Sequence, residues 1–154
     1  MTSLIGQAAL QRATNFLGSV TYTRSAELGI PVEFASHPVN QGGLCASFVA
    51  SVLSQVGFPH LSLTLQPLMA MPDVLRAALV ASGFVPMPVG SLAPPGSVVI
   101  WPHNEHAAFL LRTDGQTMTV LNSNSAHRAL PQTVRFDNHL VAYEQRATIF
   151  RPPL

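Results

Sequence analysis

Lysine is absent from the 154 residues, and cysteine occurs once, as Cys45. A single thiol excludes a disulfide framework within the chain and any zinc site built on several thiolates. Charge is scarce too. Arg, Asp and Glu make up 10% of the chain, and eight Arg against seven acids leave a formal net charge of +1. So balanced a chain lacks the cationic excess that neutralises phosphates, and nucleic acid is not expected as a partner. Apolar runs are broken by Pro, Gly, Gln or Ser well before the ~20 residues of a membrane span, and the start MTSLIGQAAL lacks a basic leader segment. Neither a membrane span nor a Sec signal is expected. An Arg-favouring, GC-rich genome is the first account of the missing lysine; avoidance of lysine modification inside a host cell is the second.

Apolar residues, by contrast, make up 47% of the chain, enough to build one packed domain over residues 1–154. Apolar positions recur at helical spacing over residues 3–17, with Gly18 as a stop. Gly18 to Gly43 reads as a long irregular segment. The run CASFVASVLSQVGFP then sets Cys45, Phe48, Val49, Val52, Leu53 and Val56 on one stripe, so Cys45 opens a buried helix. Residues 60–71 are apolar without a pattern, and Pro72 and Asp73 begin a third helix that Gly83 closes. VPMPVGSLAPPG reads as a proline-rich turn. Strands are predicted over 97–101, 106–112 and 116–122, the last two joined by a hairpin at Asp114-Gly115. The run HLVAYEQRATIFR adds one or two more before Pro152 and Pro153. Helices followed by antiparallel strands make the expected class α+β.

Cys45 stands where unpaired backbone N–H groups and the positive end of the helix dipole favour a thiolate and an oxyanion. Most lone cysteines on an apolar helix face are simply small buried hydrophobes. What sets this one apart is His106, which opens a strand after a polar turn and could act as its base. Asn122 could hold the imidazole in the right tautomer, because His106 and Asn122 lie eight residues either side of Asp114. A slip in register would bring Ser123 or Asn124 there instead. Trp101 is expected in the core or on the cleft wall beside the base. His103 and His106 with Cys45 could form a zinc site, but no fourth ligand or clear helix accompanies them, so neither a metal nor another cofactor is expected. His37, His60, His127 and His139 fall in polar or Pro-flanked segments and are expected in solvated loops, with His37 near the cleft.

Taken together, GLCASFVASVLSQVGFP, LAPPGSVVIWPHNEHAAFLL and TMTVLNSN resemble the NlpC and CHAP branches of the papain-like cysteine peptidase and amidase superfamily. The resemblance covers roughly residues 3–125 and implies a papain-like fold, with N-terminal helices packed on a C-terminal antiparallel β-sheet. It gives Cys45 the nucleophile's place, His106 the base's and Asn122 the orienter's. By the same analogy Gln41 and Asn40 are candidate oxyanion donors. Ala46 replaces the frequent Ser after the cysteine, Ser97 the Asp after Gly96, and Glu105 the Gly before the histidine. No Tyr stands shortly upstream of Cys45, where Phe34 is the nearest aromatic.

The resemblance further implies an amide hydrolase acting on bacterial peptidoglycan, at the muramoyl-alanine amide, a D-glutamyl bond or a cross-link. A phage lysin or an effector with a cognate immunity protein would suit it, made in a bacterial or phage-infected cytoplasm and delivered to the cell wall or into another cell. Two further readings stand beside it. One is a papain-like acyltransferase, protease or deamidase acting on a host protein or lipid. The other is a non-catalytic binding domain in which Cys45 only fills the core.

Overall fold

A computed structural model describes residues 3–19, 24–30, 44–123 and 133–154, apart from the side chains of Ser25 and Leu44. Helix α1 (Leu4–Thr14) starts on Ser3, whose Oγ accepts the Gly6 N–H at 3.1 Å. It ends three residues short of the predicted boundary because the chain turns toward the sheet. Gly18, at φ +83°, donates its N–H to the Val134 carbonyl at 2.8 Å, and the Val134 N–H returns to Ser19 at 2.9 Å. The stretch expected to be wholly irregular contains one helical turn, α2 (Ser25–Leu28). Residues 31–43, with Phe34, His37, Asn40 and Gln41, lie outside the described residues, as do Asn124 and His127.

Helix α3 (Leu44–Val56) is the centre of the molecule. The spacing predicts one apolar stripe, but every side chain from Cys45 to Leu53 is buried, including Ser47 and Ser51 on the other side. The reason is its surroundings. α1, α2, two 3₁₀ turns (Pro59–Leu61 and Pro67–Ala70) and α4 (Pro72–Ala81) all pack against it, and the sheet covers its remaining face.

Six strands form one open antiparallel sheet: β1 (Val85–Pro88), β2 (Val98–Trp101), β3 (His106–Thr113), β4 (Thr117–Ser123), β5 (Val134–Leu140) and β6 (Thr148–Arg151). Their order is β1-β6-β2-β3-β4-β5, and the class is α+β, with the helices first in the chain. Two strands depart from expectation. The proline-rich turn begins with β1, which tolerates Pro86 and Pro88 because it lies at the sheet edge and pairs only with β6. β5 begins at Val134, five residues before the run read as strand, and its solvent-facing Phe136, Asn138 and Leu140 hide the pattern. His139 accordingly lies on a strand, half-buried, and not in a solvated loop.

The hairpin forms where Asp114-Gly115 predicts it. Asp114 Oδ1 accepts the N–H groups of Gln116 and Thr117, each at 2.8 Å, and Gly115 adopts φ +89°. The Thr117 N–H, then the Gln116 N–H, hold the Asp114 carboxyl below the usual carboxylate range.

Alternation along the strands divides the interior in two. Val98, Ile100, Ala107, Phe109 and Leu121 join the helices in the larger cluster. Val99, Trp101, Ala108, Leu110, Met118 and Val120 form a second cluster on the opposite face. At the end of the sheet where β2 begins, α1 sits directly on the backbone through two glycines. A Cβ on Gly96 (φ +88°) would lie 2.0 Å from the Gly6 carbonyl oxygen.

Candidate active site

Asn122 holds the most specific polar arrangement among the described residues. It is 1% exposed, and its Oδ1 lies 2.6 Å from His106 Nε2. Its Nδ2 donates to the Arg135 carbonyl at 3.0 Å and to Asp137 Oδ2 at 2.9 Å. Turning the amide over would set its oxygen against two acceptors, so the carbonyl must face the imidazole. A carbonyl oxygen only accepts. Nε2 therefore carries the proton, and Nδ1 is the basic nitrogen of the neutral ring.

The sheet produces this contact by a route the eight-and-eight count does not anticipate. β3 and β4 pair Phe109 with Leu121 and Leu110 with Val120, and the register shifts between Leu110 and Arg112. Continuing the inner register puts Asn122 opposite Ala108, so His106 is its diagonal neighbour and not its direct partner. A displacement of two residues preserves the face, whereas a displacement of one would have turned Asn122 to the other cluster. Ser123, buried at the end of β4, is excluded from that face by the same parity.

Trp101 pairs with His106 across β2 and β3, with ring centroids 5.3 Å apart. Its other ring neighbour is His139, at 5.4 Å. The indole N–H donates to Glu144 Oε2 at 2.6 Å, and Glu144 Oε1 lies 3.3 Å from His139 Nδ1. As placed, the indole walls the imidazole and has its only donor committed to Glu144.

Cys45 occupies the first turn of α3, where backbone N–H groups have no acceptor within the helix. The helix starts over β3 and β4, where Phe48 meets Phe109 at 6.2 Å between ring centroids. It runs toward the opposite edge, where Phe58 meets Phe84, the residue before β1, at 5.3 Å. Cys45, one turn before Phe48, thus lies toward the β3–β4 side that carries His106 and Asn122. Two facts separate it from them. It is 2% exposed, whereas a reactive nucleophile is expected to be reachable, and it belongs to the helix-side cluster while His106 and Asn122 project from the other face. His106 is the first residue of β3, at the rim of the sheet.

The structure thus joins His106, Asn122 and Trp101 in one cluster and places Cys45 at the start of the adjoining helix. Asp137 and Glu144 are not among the residues that the sequence singles out, and His139 is expected there only as a loop residue. Asp137 and His139 alternate along β5, whose charged and polar residues mask the strand, while Glu144 follows the 3₁₀ turn Val141–Tyr143 and carries no such signal. Among the described residues no group of three His, Cys, Asp or Glu side chains could hold a metal ion, and no helix is long and apolar enough to cross a membrane. Compared with family models, curated proteins and solved structures, the chain matches none of them.

Proposed function

We propose that the protein is a papain-like cysteine hydrolase that cleaves an amide bond, with Cys45 as nucleophile, His106 as base and Asn122 as the group that orients the imidazole. In this reading His106 Nδ1 takes the thiol proton, and the thiolate attacks the carbonyl carbon. First-turn N–H groups of α3 receive the oxyanion. The imidazolium then protonates the leaving amine, and water attacks the thioester to release the acid. The observation that carries the reading is the buried 2.6 Å contact from His106 Nε2 to Asn122 Oδ1, with the amide orientation fixed from behind. Such a contact selects the tautomer that a general base beside a thiol requires.

Bacterial cell-wall peptide is the substrate class that the sequence resemblance favours, with a lysin or a delivered effector as the setting. A cognate immunity protein is the partner of the effector version. Acyl transfer, proteolysis or deamidation on a host protein or lipid uses the same thioester with a different acceptor or substrate.

Digestion of purified peptidoglycan by the wild type and by Cys45→Ala, with fragments identified by mass spectrometry, tests the proposal. Fragments released only by the wild type support it and name the bond; identical fragment maps reject it. The 2% exposure of Cys45 favours a second reading, a non-catalytic binding domain in which the thiol fills the core. Labelling by iodoacetamide at about pH 6 separates the two, because only an ionised and reachable thiol reacts quickly there.

A further inference from the structure

Behind the amide of Asn122 stands a group that the hydrolase reading does not itself require. Asp137 Oδ2 accepts one Nδ2 hydrogen of Asn122 at 2.9 Å, while the Arg135 carbonyl accepts the other at 3.0 Å. Either acceptor would orient the amide. Of the two, only Asp137 also brings charge, at a partly buried position linked through the Asn122 amide to His106 Nε2.

We infer that Asp137 is a positioning residue, a fourth member of the site whose carboxylate acts through the Asn122 amide to favour the protonated form of His106. The inference rests on the reading of His106 as the general base. A base that must hold a proton between thiol deprotonation and amine departure gains from an anion on its far side, provided the anion does not take the proton. The intervening amide ensures that, because Asp137 meets the Nδ2 hydrogen and not the ring. Polarisation along the chain strengthens the Nε2–H···Oδ1 bond when the ring is charged.

Other charges act on the same group. Arg135 Nε lies 3.4 Å from Asp137 Oδ2 and offsets part of its field, and the Arg135 side chain is 40% exposed. Across Trp101, Glu144 is the second anion near the ring, in contact with His139. Of these charges, Asp137 is linked to His106 Nε2 by hydrogen bonds, through the Asn122 amide.

The test is nitrogen NMR of the full chain labelled in histidine, following His106 against pH in wild type, Asp137→Asn and Asp137→Ala. Asp137→Asn keeps an acceptor for Asn122 and removes the charge. With a carboxylate two hydrogen bonds away from Nε2 and partial screening, the His106 midpoint should fall by about 0.5–1 unit in both variants. The Nε2–H tautomer should persist in Asp137→Asn. Midpoints unchanged in both variants would overturn the inference, as would a rise. If peptidoglycan hydrolysis is present in the wild type, Asp137→Asn should lower kcat with KM unchanged, and a change in KM alone would also count against the role. Shifted midpoints in a protein whose wild type releases no fragments would reject the hydrolase reading while leaving the link from Asp137 to His106 in place.

Discussion

Asn122→Ala is the perturbation whose cost follows most directly from the geometry. The wild-type side chain is 1% exposed and makes three hydrogen bonds, to His106 Nε2, the Arg135 carbonyl and Asp137 Oδ2. Truncation leaves an imidazole N–H and a carbonyl without their partner, each worth about 1–3 kcal/mol when buried. Asp137, with its side chain 23% exposed, regains some contact with water and adds less. The expected loss is about 2–4 kcal/mol, or a fall of about 5–15 °C in Tm for a chain of this length. Urea denaturation followed by fluorescence of Trp101, the only tryptophan, measures it. Asn122→Asp sharpens the test. It keeps an acceptor for His106 but sets carboxylate oxygens against the Arg135 carbonyl and Asp137, so near neutral pH it should destabilise at least as much as the alanine variant. An alanine variant losing less than about 0.5 kcal/mol, or an aspartate variant more stable than wild type, would falsify the assigned amide orientation.

Other outcomes follow from separate parts of the fold. Gly96→Ala should cost about 3 kcal/mol or more or prevent folding, because its Cβ would lie 2.0–2.4 Å from Gly6 backbone atoms at φ +88°; near-wild-type thermal unfolding would contradict the close approach of α1. The depressed pKa of Asp114 means that its contribution to stability is present above the ordinary carboxylate range and is lost as pH falls through the lower folded value. Asp114→Asn should therefore flatten that acid-side slope in denaturation measured between about pH 5 and pH 2, and an unchanged slope would refute the hairpin's part in it. In Cys45→Ser the hydroxyl replaces the thiol, so hydrolysis should fall by at least ~10²-fold; full activity, measured as peptidoglycan fragments released, would remove the thiol from the mechanism.

The sequence by itself determined those elements whose cause is local. Ser3 starts α1, Pro72 starts α4, and Asp114-Gly115 turns the hairpin; each acts through backbone groups within a few residues. Apolar spacing likewise sufficed to put Cys45 at the start of a buried helix and His106 at the start of a strand. The tertiary structure decided what depends on neighbours distant in sequence. β1 is a strand because β6 lies beside it, and no local pattern reveals an edge that tolerates two prolines. The hairpin closes with Thr113 opposite Met118, and the register shift beside Leu110 takes one residue back, so His106 and Asn122 are diagonal and not direct neighbours yet share one face, because side chains alternate with a period of two. Burial of Ser47 and Ser51 follows from packing around every side of α3, which a stripe on a helical wheel does not disclose. Asp137 became visible only when β5 paired with β4 and carried its carboxylate to the back of Asn122. Local hydrogen bonds can be read from adjacent residues, whereas the groups that orient a base are chosen by the pairing of strands.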